Sequence, residues 1–132
     1  METIFTKIIK GEIPCYKVAE DENFLAFLDI SPIAKGHTLV VPKVQIDYIF
    51  DLDDDTLSAM FRFAKKVAKA MKPNVECAKI GVAVIGLDVP HTHVHLVPIS
   101  GTGDLDFTNE RLRFSSEEFA AIAATFNRTF NL

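Results

Sequence analysis

The amino-acid sequence predicts an α+β domain with a mostly antiparallel, five-stranded sheet. Four β-rich segments form two pairs, each joined by a connection short enough for antiparallel pairing. These pairs are residues 16–20 with 23–28 and residues 78–85 with 92–98. Two other segments have apolar residues three or four positions apart, which is the spacing of amphipathic helices. The combination of hairpins with such helices favours the α+β class.

The N-terminal elements are predicted from their apolar spacing and from the residues that end them. Apolar residues at positions 4, 5, 8 and 9 share one helical face, and Gly11 follows, so residues 4–10 should form a short helix. The polar residues Asp21 and Glu22 separate the two strands of the first hairpin. Residues 37–42 should form a buried strand, because they follow a loop with proline and glycine and end at a proline.

The later helices have signals at their ends as well as along their length. One helix follows the acidic residues 53–55 and precedes Lys69 and Lys72, as the helix dipole favours. Its apolar stripe consists of Leu57, Met60, Phe61, Ala64, Val67, Ala68 and Met71. A second helix, over residues 116–128, follows Ser115, which precedes Glu118 with the spacing of a capping box.

Length and composition predict a single domain, residues 1–132, in the cytoplasm. The chain is long enough for one hydrophobic core, and no linker or internal repeat interrupts it. Its core motifs span residues 3–98, and a C-terminal extension covers 101–132. A net charge of −4 gives no electrostatic reason to bind nucleic acid. No apolar run reaches the roughly 18 residues of a membrane span, and Cys15 and Cys77 form no metal or redox motif.

Three of the four histidines stand at every second position of one predicted strand, as His91, His93 and His95. Side chains alternate between the two faces of a strand, so these imidazoles should point the same way, roughly 6.6 Å apart. A purely structural role is one explanation. Packing alone, however, favours valine, isoleucine or threonine at such positions, which makes a chemical role the stronger hypothesis.

Two kinds of chemistry suit such a row of imidazoles. One is a metal site, since His-x-His on a strand is a zinc-ligand spacing and His37, Asp29 or Asp88 could supply a further ligand. The other is nucleophilic catalysis at phosphorus. There one imidazole attacks, its neighbours donate hydrogen bonds to phosphoryl oxygens, and one protonates the leaving group. The second chemistry explains why one histidine would not be enough.

The segment His91-Thr-His-Val-His-Leu-Val resembles the signature of the histidine triad (HIT) family. Residues 3–14 are similar to the family's N-terminal segment, and residues 24–43 to its nucleoside-binding region. The resemblance implies a homodimer whose sheets join into one continuous sheet, with a nucleoside monophosphate moiety bound in each protomer. Histidine at position 95, where the nucleotidyltransferases have glutamine, points toward the nucleotide hydrolases that include the Hint-like phosphoramidases.

The resemblance also implies a role for each candidate site residue. His93 would attack the α-phosphorus and become transiently nucleotidylated. His95 would contact the phosphoryl oxygens, and His91 would help to fix the tautomer of His93. His37 would complete the histidine network, while the carboxylate of Asp29 would bind the ribose hydroxyls. The positions of the family's apolar base pocket are Phe5, Ile8, Ile13, Phe27, Ile30 and Leu39.

The sequence departs from the family pattern in three places. Thr3 and Thr6 stand where zinc-bearing bacterial members have Cys-x-x-Cys, and Gln45 replaces a histidine, so we expect no bound metal and no cofactor. The loop at residues 86–90 is short and lacks the usual Asn-containing passage. In that loop, Asp88 takes the place of a small hydroxyl residue near the phosphate in the nucleotide site.

The carboxylate of Asp88 has a predictable cost if it faces the phosphate. At about 4 Å from a phosphate charge, it would cost on the order of 4 kcal/mol at an effective dielectric constant of about 20. Asp88 should therefore point elsewhere, be protonated or slow the reaction.

The sequence thus predicts a hydrolase that cleaves a purine nucleoside 5′-phosphoramidate, or a similar nucleotidyl conjugate, through an adduct on His93. A dinucleoside polyphosphate hydrolase is one alternative. A nucleotide-binding module with little turnover is another, which the altered loop at 86–90 favours. The expected partners are a purine nucleotide and a second copy of the chain, not nucleic acid or a membrane.

Overall fold

The computed structural model describes all 132 residues, which form three α-helices and five β-strands. The helices are α1 (Ile4–Ile9), α2 (Asp54–Met71) and α3 (Ser116–Phe130). The strands are β1 (Lys17–Glu20), β2 (Phe24–Leu28), β3 (Thr38–Pro42), β4 (Lys79–Ala83) and β5 (Val94–Ile99). Single 3-10 turns lie at Ile49–Asp51, Lys72–Asn74 and Thr102–Asp104.

All five strands belong to one antiparallel sheet in the order β1-β2-β3-β5-β4. β3 joins the two hairpins, because it pairs with β2 on one side and with β5 on the other. This arrangement confirms the predicted α+β class and the five-stranded antiparallel sheet. The strands β1 and β4 are its edges. No helix combines the length and the apolar composition that crossing a bilayer requires.

β2 is buried along its whole length because both faces of the sheet are covered. Phe24 and Leu28 belong to a cluster of 18 buried residues that includes the inner faces of α2 and α3. The alternate residues Leu25 and Phe27 belong to a cluster of five that includes Phe5 of α1. Successive side chains of β2 point to opposite faces of the sheet, so one face packs into the main core and the other into a smaller cluster under α1.

α2 differs from its predicted stripe at one aromatic position. Phe61 was expected in the stripe but is 41% exposed, whereas Phe63 is 7% exposed and packs against Phe24 with ring centroids 5.6 Å apart. At 3.6 residues per turn, Phe61 lies about 100° around the helix from the buried Met60. Phe63 lies only about 60° away on the other side, within the arc that faces the sheet.

The C-terminal extension returns across the sheet before its helix begins. The Leu112 N–H donates a hydrogen bond to the carbonyl of Pro32 at 2.8 Å, which ties the extension to the loop after β2. α3 then starts with the predicted capping box, in which Ser115 and Glu118 each accept the other's backbone N–H. The last residues of the segment between β5 and α3 are thereby fixed to the loop after β2 and to the start of α3.

α3 also holds the loop that precedes His37. Phe126 is 1% exposed, and a Cβ atom added to Gly36 would lie 2.9 Å from its ring. Gly36 has φ of 89°, a conformation that glycine adopts without strain. Glycine at this position lets the loop pass under Phe126 and bring His37 into the sheet.

Candidate active site

A cavity of about 600 Å³ opens between α1, the end of β2, the loop before His91 and the C-terminal extension. Of the twelve site residues predicted from the sequence, only His37 and His91 are absent from its wall; both are buried behind it. Ile30 is 72% exposed and stands at the rim. The predicted residues that line the cavity are Phe5, Ile8, Ile13, Phe27, Asp29, Ile30, Leu39, Asp88, His93 and His95.

His93 lies just before β5, not within it. The sequence predicted that the three alternate histidines belong to one strand, but β5 begins at Val94, so only His95 of the three pairs in the sheet. The physical reason is Thr92, whose backbone N–H and side-chain hydroxyl both donate to the carbonyl of Ile46 at 2.7 Å. Because the Thr92 N–H is bonded to Ile46, it does not pair with a neighbouring strand, and the strand begins after Thr92.

One hydrogen bond fixes the tautomer of His93. Its Nδ1 lies 2.7 Å from the carbonyl oxygen of His91. A carbonyl oxygen can only accept, so the Nδ1 of neutral His93 must carry the hydrogen and its Nε2 must have the lone pair. The Phe5 ring packs edge-on against the imidazole, with centroids 4.9 Å apart. His93 is 7% exposed, at the wall of the cavity.

A chain of hydrogen bonds fixes the tautomers of His37 and His95 in the same way. The Ile33 N–H donates to Nδ1 of His37 at 3.2 Å, so the hydrogen of His37 must be on Nε2. That Nε2 donates to Nδ1 of His95 at 2.9 Å. Nε2 of His95 therefore carries a hydrogen. We refer to His37 and His95 together as the relay pair.

Burial keeps the relay pair uncharged. The pKa of His37 is lowered to about 3, mainly by burial and then by the charges of His95 and Arg111. The pKa of His95 is lowered to about 4, again mainly by burial and then by His93 and Arg111. Both rings are neutral at pH 7 because an imidazolium would lose its hydration there. His95 can thus donate a hydrogen bond into the cavity without bringing a positive charge.

The ring of His91 lies behind the cavity and is fully buried. Its Nε2 donates to the carbonyl of Pro42 at 2.8 Å, and its Nδ1 accepts from the Thr3 hydroxyl at 2.9 Å. Burial lowers the pKa of His91, against the opposite effect of the Pro42 bond. His91 was expected to help fix the tautomer of His93. The group placed to do so is the backbone carbonyl of His91, 2.7 Å from Nδ1 of His93, and not its ring.

The residues that depart from the zinc-bearing pattern form one polar cluster beside His91. Oε1 of Gln45 accepts the Thr3 N–H at 3.0 Å and also the Thr6 hydroxyl. Oγ1 of Thr3 accepts the Thr6 N–H at 3.1 Å and so caps α1. Threonine and glutamine lack the thiolate and imidazole donors that zinc prefers. Hydrogen bonds between neutral groups therefore attach α1 to the sheet here.

Asp29 serves both a turn and the cavity. Its Oδ1 accepts the Ser31 N–H at 2.8 Å, and its Oδ2 lies 3.6 Å from Nε2 of His37. Burial raises the pKa of Asp29, although the Ser31 bond and the charges of Arg111 and His93 act in the opposite direction. The carboxylate is therefore held at the cavity wall by the turn that follows β2.

Asp29, His37 and His95 are close enough together to be considered as metal ligands, because one ligand atom from each lies within 4.8 Å of the others. A metal would need the lone pair of Nε2 of His37, but that atom carries the hydrogen donated to His95. Moving the hydrogen to Nδ1 would set it against the Ile33 N–H, 3.2 Å away. The backbone therefore favours the hydrogen-bonded relay pair over a metal site.

Two residues of the C-terminal extension line the cavity and were not predicted from the sequence. The ring centroid of Phe107 lies 4.6 Å from that of His95 and 6.0 Å from that of His37. The guanidinium of Arg111 donates to the carbonyls of Ser31 and Phe107 at 2.8 and 3.1 Å. Both residues belong to an irregular segment without periodicity, so no sequence signal pointed to the site.

Comparisons with known proteins identify the family of this chain. Residues 10–101 match the family model described as HIT domain. The Bacillus subtilis protein hit is 43% identical, over 76% of this chain and 73% of its own. The adenosine 5′-monophosphoramidase hnt1 of Schizosaccharomyces pombe is 41% identical, over 74% of this chain and 74% of its own. The crystal structure of a HIT-like protein from Bartonella henselae has a TM-score of 0.82 at 31% identity, covering 97% of this chain and 96% of that one. This chain therefore belongs to the HIT domain family.

Proposed function

We propose that this protein is a nucleotide-binding hydrolase that cleaves purine nucleoside 5′-phosphoramidates, or similar nucleotidyl conjugates, through a nucleotidyl-histidine intermediate. One observation carries the proposal: a ring nitrogen with a free lone pair stands beside a ring nitrogen that carries a hydrogen. These are Nε2 of His93 and Nε2 of His95, in rings whose centroids are 5.0 Å apart. A phosphoryl group bound here would meet a nucleophile and a hydrogen-bond donor together.

The proposed reaction has two displacements at phosphorus. In the first, Nε2 of His93 bonds to phosphorus and the P–N bond to the amine breaks. The Nδ1–H bond to the His91 carbonyl stabilises the positive charge that this attachment creates on the ring. In this step the amine takes up one proton as it leaves. In the second, water attacks phosphorus, the bond between phosphorus and Nε2 of His93 breaks, and the nucleotide is released. The oxygen and one hydrogen of the water end on the phosphate, and its other hydrogen replaces the proton that the amine took up, so one water is consumed over both steps.

The cavity has suitable surfaces for the rest of a nucleotide. Its volume of about 600 Å³ falls within the range of small-molecule sites. Phe5, Phe27 and Leu39 offer an apolar wall against which a purine can be buried. Asp29 offers carboxylate oxygens that can accept from ribose hydroxyls. The name of the Schizosaccharomyces pombe relative, an adenosine 5′-monophosphoramidase, supports the choice of a P–N bond in the substrate.

Incubation with adenosine 5′-phosphoramidate tests the proposal. We expect stoichiometric release of AMP and ammonia, measured by chromatography and by a coupled ammonia assay, and an unchanged rate after treatment with a chelator. AMP binding without any turnover would instead favour a binding module. Cleavage of a diadenosine polyphosphate but not of the phosphoramidate would favour the polyphosphate hydrolase.

Asp88→Ser is expected to increase kcat/KM for the phosphoramidate by a few-fold. Asp88 is exposed on the wall of the cavity, so its repulsion of a phosphate about 4 Å away should be nearer the 1 kcal/mol of bulk water than the 4 kcal/mol of a protein surface site. Asp47→Ser is the matched control, because Asp47 is also exposed but does not line this cavity. An unchanged rate for Asp88→Ser would mean that its carboxylate points away from the phosphate.

We also propose that the protein functions as a homodimer joined along β4. This edge strand has no buried residue and one charged side chain, Lys79 at its first position, whereas the opposite edge, β1, carries the ion pair between Lys17 and Glu20. An unpaired strand edge whose other residues are uncharged can accept a further strand. In analytical ultracentrifugation we expect the parent to sediment as a dimer and Val82→Lys to sediment as a monomer. A monomeric parent would contradict the proposal. The large apolar side chains exposed on or near β4 are Tyr48, Phe50, Phe61, Val82, Ile85 and Leu87.

A further inference from the structure

Arg111 is the only lysine or arginine that lines the cavity. The acidic residues of that wall are Asp29 and Asp88, and His95 is neutral at pH 7 because its pKa is about 4. A nucleotide that enters the cavity carries at least one negative charge on its phosphate. Without Arg111 that charge would meet two carboxylates and no permanent cation.

The guanidinium of Arg111 is fixed in place and still has donors to spare. Two of its nitrogens donate to backbone carbonyls, those of Ser31 at 2.8 Å and Phe107 at 3.1 Å. A guanidinium has five N–H donors, so three are left after these two bonds. The side chain thus has a defined position at the rim and can bind a further acceptor, preferably an oxyanion.

No carboxylate forms an ion pair with Arg111. None of the four ion pairs in the protein includes Arg111, so no carboxylate oxygen lies within 4.0 Å of it. Its charge nevertheless acts on the site, since it lowers the pKa of Asp29 and of both members of the relay pair. An arginine that is oriented by the backbone but lacks an anionic partner is suited to an anionic ligand.

Arg111 also lies close to the relay pair. Its Cζ atom is 5.8 Å from the centroid of the Phe107 ring, and that ring is 4.6 Å from the ring of His95. One aromatic side chain therefore connects the guanidinium with the imidazole that donates into the cavity. On the side of the cavity formed by residues 86–90, the short loop has the sequence Gly-Leu-Asp-Val-Pro and offers no side-chain N–H donor.

We propose that Arg111 binds the anionic phosphoryl group of the nucleotide through its free N–H donors and makes the site selective for nucleotides over uncharged nucleosides. The inference rests on the proposed function, because it takes the phosphate of a nucleotide as the ligand. The C-terminal extension thereby completes a site whose other polar groups come from the sheet and its loops.

Calorimetric titration with AMP and with adenosine tests this role. We expect Arg111→Gln to weaken AMP binding about 10-fold or more, as for loss of a charge-assisted hydrogen bond, and to leave adenosine binding within about twofold. Arg111→Lys should recover part of the AMP affinity because it keeps the charge. Added salt should weaken AMP binding to the parent more than to Arg111→Gln. Arg113→Gln is the matched control, since Arg113 lies in the same extension but outside the cavity.

The outcomes separate this inference from the proposed function. If the parent binds both ligands and Arg111→Gln weakens both equally, Arg111 only supports the loop, and the inference is wrong. It is equally wrong if AMP affinity does not change. If the parent binds neither AMP nor adenosine, the proposed function fails first, and the role of Arg111 fails with it.

Discussion

His93→Ala is expected to lower kcat for the phosphoramidate by at least about 1,000-fold, because it removes the atom that bonds to phosphorus. The affinity for AMP should remain within a few-fold, since the apolar wall, Asp29 and Arg111 are left in place. Removal of a nucleophile acts on the chemical step and not on ground-state binding. Rapid-quench kinetics and calorimetry on the same preparation measure the two effects separately.

The covalent intermediate provides a second readout for His93. Mass spectrometry after an alkaline quench should find the nucleotidyl group on a peptide that contains His93 in the parent and no such adduct in the alanine variant. The control is His95→Ala, which removes the hydrogen-bond donor but keeps the nucleophile. That variant should turn over slowly and still form the adduct. A His93→Ala variant as fast as the parent, or label on another residue, would rule out His93 as the nucleophile.

The sequence was informative wherever a local pattern decides the structure. The polar pair Asp21 and Glu22 marked the turn between β1 and β2, and the capping box at Ser115 marked the start of α3. It was less informative where the outcome depends on a tertiary contact. Phe61 and Phe63 both fit a helical stripe, and packing against Phe24 buries one of them.

The candidate site divides in the same way. Alternate histidines and their resemblance to a known family pointed to His93 and His95, and both line one cavity. The orientation of the His91 ring depends on Thr3 and Pro42, far away in the sequence, and no local pattern encodes it. Arg111 reaches the site through a hydrogen bond to Ser31, 80 residues away, in a segment with no periodic signal. Contacts between irregular segments that are far apart in the chain could therefore not be predicted from this one sequence.

The tautomers of the site follow from burial as much as from hydrogen bonds. If the relay pair were charged, His95 could not accept from His37 at Nδ1, and the chain that begins at the Ile33 N–H would be broken. The low pKa values of these two rings therefore protect the geometry that the proposed reaction needs. That protection has a cost in stability at acidic pH, where the unfolded chain takes up protons that the folded protein excludes.

Acidification from pH 7 to pH 5 is expected to lower the free energy of unfolding by roughly 3–4 kcal/mol through the relay pair alone. An unfolded histidine has a pKa of about 6.5, whereas the folded values are about 3 for His37 and about 4 for His95. Above about pH 6.5 both rings are neutral in the folded and in the unfolded chain, so the pair does not lower the free energy of unfolding. Below that pH the free energy of unfolding falls by about 1.4 kcal/mol per pH unit and group, because only the unfolded chain takes up protons. The lowered pKa of His91 acts in the same direction.

Urea unfolding between pH 7.5 and pH 5 measures this slope. Asp29 has the opposite sign, because burial raises its pKa and folding then favours its protonated form, so the series stops above the range where carboxyl groups dominate. NMR of the folded parent provides the matching site-specific test, in which the ring resonances of His37 and His95 should not titrate above pH 5. The opposite result would be a free energy of unfolding that does not change over this range and ring resonances that titrate near pH 6.5. It would show that the pair becomes charged in the folded protein, and the tautomers assigned to His37 and His95 would then be wrong.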